Sequence, residues 1–114
     1  MQLPEEGYLL RIFIGEADKD KDGKPLYEWI VFQARQHELA GATVIRAIMG
    51  FGANTRSIHA FKIESLSEDL PFVIEIVDVK DKLEKFLDAI DEHIQSGLVT
   101  LEKVQIKFYR ANKN

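Results

Sequence analysis

Cysteine is absent from this 114-residue chain, which excludes thiol nucleophiles, disulfides and cysteine-ligated zinc or iron–sulfur centres together. The lack of disulfides selects no compartment. Residues 1–7 hold Glu5 and Glu6 and no apolar run, so no secretory signal is expected and the cytoplasm is the expected location. No apolar stretch approaches the ~20 residues that a bilayer requires, and no membrane insertion is expected. An excess of positive charge is lacking too: 15 Lys and Arg against 19 Asp and Glu leave a net charge of −4. A chain without a basic field cannot neutralise a run of phosphates, so nucleic acid is not an expected partner. The basic residues that gather, Lys103, Lys107, Arg110 and Lys113, read as a solvated terminal strand, with a phosphate patch as the alternative.

What is present is enough apolar material, 46% of residues, for a core without metal or disulfide support. The length is that of a single domain over residues 1–114, and no linker, repeat or low-complexity segment divides it. Tyr8 to Ile14 alternates as a strand, with Tyr8, Leu10, Ile12 and Ile14 on one face and Leu9 and Phe13 on the other. Pro25 suits the first turn of a helix over Leu26 to Leu39, whose stripe is Leu26, Ile30 and Ala34. Gly41 is placed to end that helix. Ala42 to Met49 reads as a second strand, and Gly50 to about Ser65 is the least regular stretch. A third strand runs over Phe72 to Val77. Asp78 can cap a second helix marked by Leu83, Phe86, Leu87, Ile90 and Ile94, which Gly97 stops. Leu98 to Phe108 is the last strand.

The order is strand, helix, strand, strand, helix, strand. It predicts an α+β fold of the ferredoxin-like βαββαβ plan, a four-stranded antiparallel sheet with both helices on one face. The other face would normally be polar. Here Leu9, Phe13, Ile45, Met49, Val73, Val77, Val99 and Leu101 are expected on it, which implies that another chain covers it.

Few residues offer chemistry. Asp18-Lys19-Asp20-Lys21-Asp22-Gly23 starts like a calcium-binding EF-hand loop, but Pro25 and Trp29 stand where an aliphatic residue and a bidentate Glu are needed. A solvated turn is expected instead. His37, His59 and His93 have no metal-ligand spacing, and His59 alone, in the irregular stretch, keeps a functional candidacy. Ser57, Ser65, Ser67 and Ser96 lack a nucleophile-elbow setting. Glu75 and Asp78 could form a carboxylate pair, though capping by Asp78 is preferred. No catalytic constellation emerges, and no enzyme is expected. Gly50-Phe51-Gly52 differs by its place at a strand end, where glycines let backbone N–H groups approach an anion. A plain flexible hairpin mouth fits the same spacing.

The run Gly41-Ala42-Thr43-Val44 to Met49-Gly50-Phe51-Gly52, and Leu70-Pro71 followed by Ile74 to Val77, resemble the PII-like signalling superfamily. More closely, the chain resembles the family known as domain of unknown function 190. The matching features are Ile14-Gly15-Glu16, Gly23 to Glu28, Gly41 to Val44, Arg46, Ile48 to Gly52, Leu66-Ser67 and Asp69 to Pro71. The resemblance implies a homotrimer that binds an adenine nucleotide in clefts between subunits, with Gly50, Phe51 and Gly52 near phosphate. It puts Gly41, Ala42 and Thr43 of a neighbouring subunit near the base, with Arg46, Arg56 and Lys107 as candidate basic partners. A loop over residues 51–65 would dock an unidentified protein partner. Two departures stand out. The Gly41–Gly50 interval is one residue longer than in PII, so a strand bulge is expected. The phosphate loop before the last strand is reduced to Gln95-Ser96-Gly97-Leu98, so AMP or ADP is expected over ATP. The alternative is a structural or metal-tolerance-type trimer of the same superfamily; no metal is expected in the main reading.

Overall fold

The alternation of branched residues in residues 6–15 and 71–78 makes two central strands with a dry side, and the helices cover that side. The computed structural model describes residues 6–52 and 70–112. Its elements are β1 (Glu6–Gly15), α1 (Leu26–Gln36), β2 (Thr43–Arg46), β3 (Pro71–Asp78), α2 (Lys80–Ile90), a 3-10 turn (Asp91–His93) and β4 (Leu98–Gln105). The strands lie in the order β2-β3-β1-β4, and β1–β3, β1–β4 and β2–β3 are all antiparallel. Strands β1 and β2 are therefore parallel to each other and joined through α1, and β3 and β4 likewise through α2. This is the expected ferredoxin-like plan.

The core lies between sheet and helices. Leu10, Ile12 and Ile14 of β1 and Phe72, Ile74 and Ile76 of β3 pack on Leu26, Ile30 and Ala34 of α1 and Leu83, Phe86 and Ile90 of α2. Each fully buried side chain of this kind is worth roughly 1.5–3 kcal/mol.

Several boundaries differ from the sequence expectation. Pro25 is the N-cap of α1 rather than its first turn, and α1 ends at Gln36, five residues before Gly41. Glu38 takes the left-handed turn at φ 58, with its N–H donating to Arg35 O and that of Leu39 to Ala34 O. These two bonds make a Schellman motif, which satisfies the last carbonyls without glycine. Strand β2 covers only Thr43–Arg46, its pairing with β3 unbroken by a bulge, and Met49 lies past its end. The second helix stops at Ile90 and tightens into the 3-10 turn, so Gly97 does not terminate it. A Cβ on Gly97 would instead sit 2.5 Å from the Phe13 carbonyl oxygen. The N-cap of α2 is Val79, not Asp78.

The helix-free face carries Leu9, Arg11 and Phe13 of β1 with Val73, Glu75 and Val77 of β3. Register then corrects β4. Val99 and Leu101 pair with Ile12 and Leu10, so they face the helices, and Leu98, Thr100, Glu102 and Val104 take the open side. The last strand also ends at Gln105 rather than Phe108.

Candidate functional site

The open face is not uniformly apolar, because Arg11 stands at its centre. Its Nε donates to Glu75 Oε2 at 2.9 Å and its Nη1 to Glu102 Oε1 at 2.7 Å. The hydrogen bond to Glu75 is the main reason that the guanidinium is held above its ordinary range. The carboxylate of Glu75 therefore belongs to a cross-strand network. Glu75 and Asp78 also point to opposite faces, since residues an odd number apart on a strand do so, and they form no carboxylate pair.

At the end of this face where β2 begins and β3 ends lies a cavity of about 510 Å³. Leu9, Glu75 and Val77 form its floor, Gly41, Ala42 and Thr43 one wall, and Lys107, Phe108 and Tyr109 another. A pocket of several hundred Å³ suits a small organic ligand. The Gly41 wall is held from behind. Asp78, only 1% exposed, accepts the Ala40 N–H at 2.9 Å on Oδ2 and the Val79 N–H at 2.7 Å on Oδ1. Gly41 has nothing within 4 Å of where a Cβ would lie, so the backbone there is open to close approach.

Of the nine residues singled out in the sequence, the cavity gathers Gly41, Ala42, Thr43 and Lys107. Arg46 ends β2 at its other end and Gly50, Phe51 and Gly52 lie past it, so the strand's span alone puts about 10 Å between the groups. There, Arg46 Nη2 donates to Glu16 Oε1 at 3.0 Å. Gly50 sits against Pro71, whose Cγ a Cβ would meet at 3.0 Å, and Phe51 is 58% exposed. Arg56, His59 and the loop beyond residue 52 lie outside the described residues, as do Ser57, Ser65 and Ser67. Within one chain, then, the two halves of the expected site are at opposite ends of the sheet.

The other candidates resolve locally. Asp20 Oδ1 accepts the N–H groups of Asp22 and Lys24, both at 2.8 Å, so this carboxylate closes its own turn. The His37 Nδ1 is 2.9 Å from Gln33 O at the end of α1, and His93 stacks on Trp29 with ring centres 4.1 Å apart. Among the described residues no group of three or more His, Asp or Glu could hold a metal ion, and no helix is long and apolar enough to cross a membrane. Phe108 and Tyr109 were not expected in the site. The one signal for them is an aromatic pair flanked by Lys107 and Arg110.

A family model described as "Uncharacterized ACR", domain of unknown function 190, matches residues 7–106. The chain belongs to this family. A UPF0166 protein of Aquifex aeolicus is 43% identical over 98 residues, covering 86% of this chain and 90% of that protein. A second, from Methanocaldococcus jannaschii, is 33% identical over 94 residues, covering 82% and 84%. Among solved structures, CPII of Thiomonas intermedia K12 bound to ADP and bicarbonate superposes with a TM-score of 0.62 at 17% identity, over 89% of this chain and 88% of that one. The apo form of CPII, a nitrogen regulatory PII-like protein, gives 0.61 at 15% identity over 89% and 91%. At such identities the likeness is one of fold: this family member has the PII-like fold.

Proposed function

We propose that the protein is a trimeric PII-like regulator, not an enzyme, that binds AMP or ADP in clefts between its subunits. The observation that carries this reading is the cavity at Gly41, Ala42 and Thr43 on the helix-free face. The residues that the family resemblance puts near the base line a ligand-sized space on the helix-free face. A shared cleft would set the base wall of one chain beside the Gly50-Phe51-Gly52 segment of a neighbour, as the family resemblance implies. Lys107 supplies a cation at the cavity. The fold is also that of CPII, which was solved with ADP and with AMP. Nucleotide binding would order the loop over residues 51–65 and change which protein partner it docks, in the cytoplasm.

Isothermal titration with AMP, ADP and ATP tests the reading. Wild type is expected to bind AMP or ADP more tightly than ATP, and Gly52→Val to weaken binding by tenfold or more by blocking approach to the backbone. Absence of heat with all three nucleotides, together with a denatured supernatant free of nucleotide by mass spectrometry, overturns it.

A further inference from the structure

The segment after β4 does not continue the sheet but turns back over its open face. Ile106 lies over the start of β1, where a Cβ on Gly7 would come within 2.6 Å of its Cδ1. Lys107, Phe108 and Tyr109 then wall the cavity opposite Gly41 and Thr43. The far end is tied down, with the Tyr109 hydroxyl donating to Ala40 O at 2.7 Å. Ala40 is itself fixed to the core by its N–H bond to buried Asp78, so the strap is fastened to a rigid post next to the Gly41 wall. Phe108 is unlike an ordinary buried ring: it is 69% exposed and has the Arg110 guanidinium over it, 4.1 Å from the ring centre. A cation over an aromatic face holds the ring's plane and leaves the opposite face for another π system.

We infer that residues 107–110 are a ligand-holding strap in which Phe108 stacks on the base of a purine nucleotide and Tyr109, through Ala40, is the positioning residue that keeps the ring there. This rests on the nucleotide-binding reading above and adds residues and a chemical basis for preferring a base to a bare phosphate. Stacking on an aromatic ring strengthens the binding of a base by roughly fivefold to a hundredfold.

The test uses ADP as the probe. In the wild-type complex, nuclear Overhauser contacts are expected between the adenine H2 or H8 and the Phe108 ring protons. Phe108→Ala is expected to weaken ADP binding about tenfold, and Tyr109→Phe by several-fold while speeding amide exchange in the strap of the unliganded protein. Wild type that binds ADP without adenine contacts to Phe108, or variants that bind it with undiminished affinity, overturn the strap and leave the functional reading standing. Wild type that binds no adenine nucleotide overturns both, and the unaltered calorimetric baseline distinguishes that result from the first. Because the nuclear Overhauser arm needs no variant, a poorly folded Phe108→Ala does not weaken the test.

Discussion

Asp78 shows how one side chain serves both fold and site. Its two oxygens accept backbone N–H groups from Val79, at the entrance to α2, and from Ala40, at the edge of the cavity. Lys82 Nζ stands 3.8 Å away, one turn along the helix. Removing such a buried acceptor leaves both donors unsatisfied, and each costs about 1–3 kcal/mol. Asp78→Ala is therefore expected to lower stability by about 3 kcal/mol in urea unfolding and to loosen the cavity wall. Asp78→Asn, which keeps a carbonyl acceptor, should lose about half of that; equal losses for the two would show that packing, not hydrogen bonding, is what Asp78 supplies. The sequence pointed to Asp78 as a cap because it precedes a helical period. Its bond to Ala40, 38 residues away, has no local signature. The same holds for Tyr109, whose partner is also Ala40, whereas Gly41 to Thr43, which the cavity gathers, are residues that the family resemblance had named.

At the scale of elements, the strong periods gave the right types and the weak ends gave the wrong limits. Helix α1 ends at Gln36 and Glu38, just beyond its C-cap, takes a left-handed turn, a conformation that glycine adopts without the Cβ clash that other residues meet. The glycine at position 41 misled the boundary because the motif closes on hydrogen bonds that any residue can make if the turn is tolerated. Relief of the left-handed side-chain cost, about 1–2 kcal/mol, exceeds the extra backbone entropy that glycine loses on folding, about 0.4–1 kcal/mol, so Glu38→Gly is expected to raise the unfolding midpoint with unchanged denaturant slope. Gly97 is the opposite case. Its φ of 149 and the 2.5 Å approach of the Phe13 carbonyl leave no room for a methyl, and the neighbour is backbone of a central strand. Gly97→Ala should destabilise by about 2 kcal/mol. A neutral outcome would mean that β4 can shift away from β1 at Leu98.

For the whole molecule, the pattern of two apolar sheet faces and one helical layer was readable in β1 and β3, where alternation is strict. It misassigned β4 because Leu98 and Val99 are adjacent apolar residues, and only pairing with Phe13 and Ile12 decides which of them faces outward. The corrected open face has Leu9, Phe13, Val73 and Val77 around a central Arg11 bridging Glu75 and Glu102. This arrangement suits burial against other copies of the chain. The one cation on the central strand meets a carboxylate on each side, so the middle of the face can be covered without a lone charge. Arg11→Glu would set three carboxylates side by side on adjacent strands. Exposed to solvent they repel weakly, since water screens them, but beneath another subunit they have neither water nor a counter-charge. In the assembled trimer that we propose, Arg11→Glu should therefore leave the helical content intact by circular dichroism while shifting sedimentation from trimer to monomer. Adding Glu75→Lys should restore association by returning a cation to the network. A variant that still sediments as the wild type would mean that this face is not where the subunits meet.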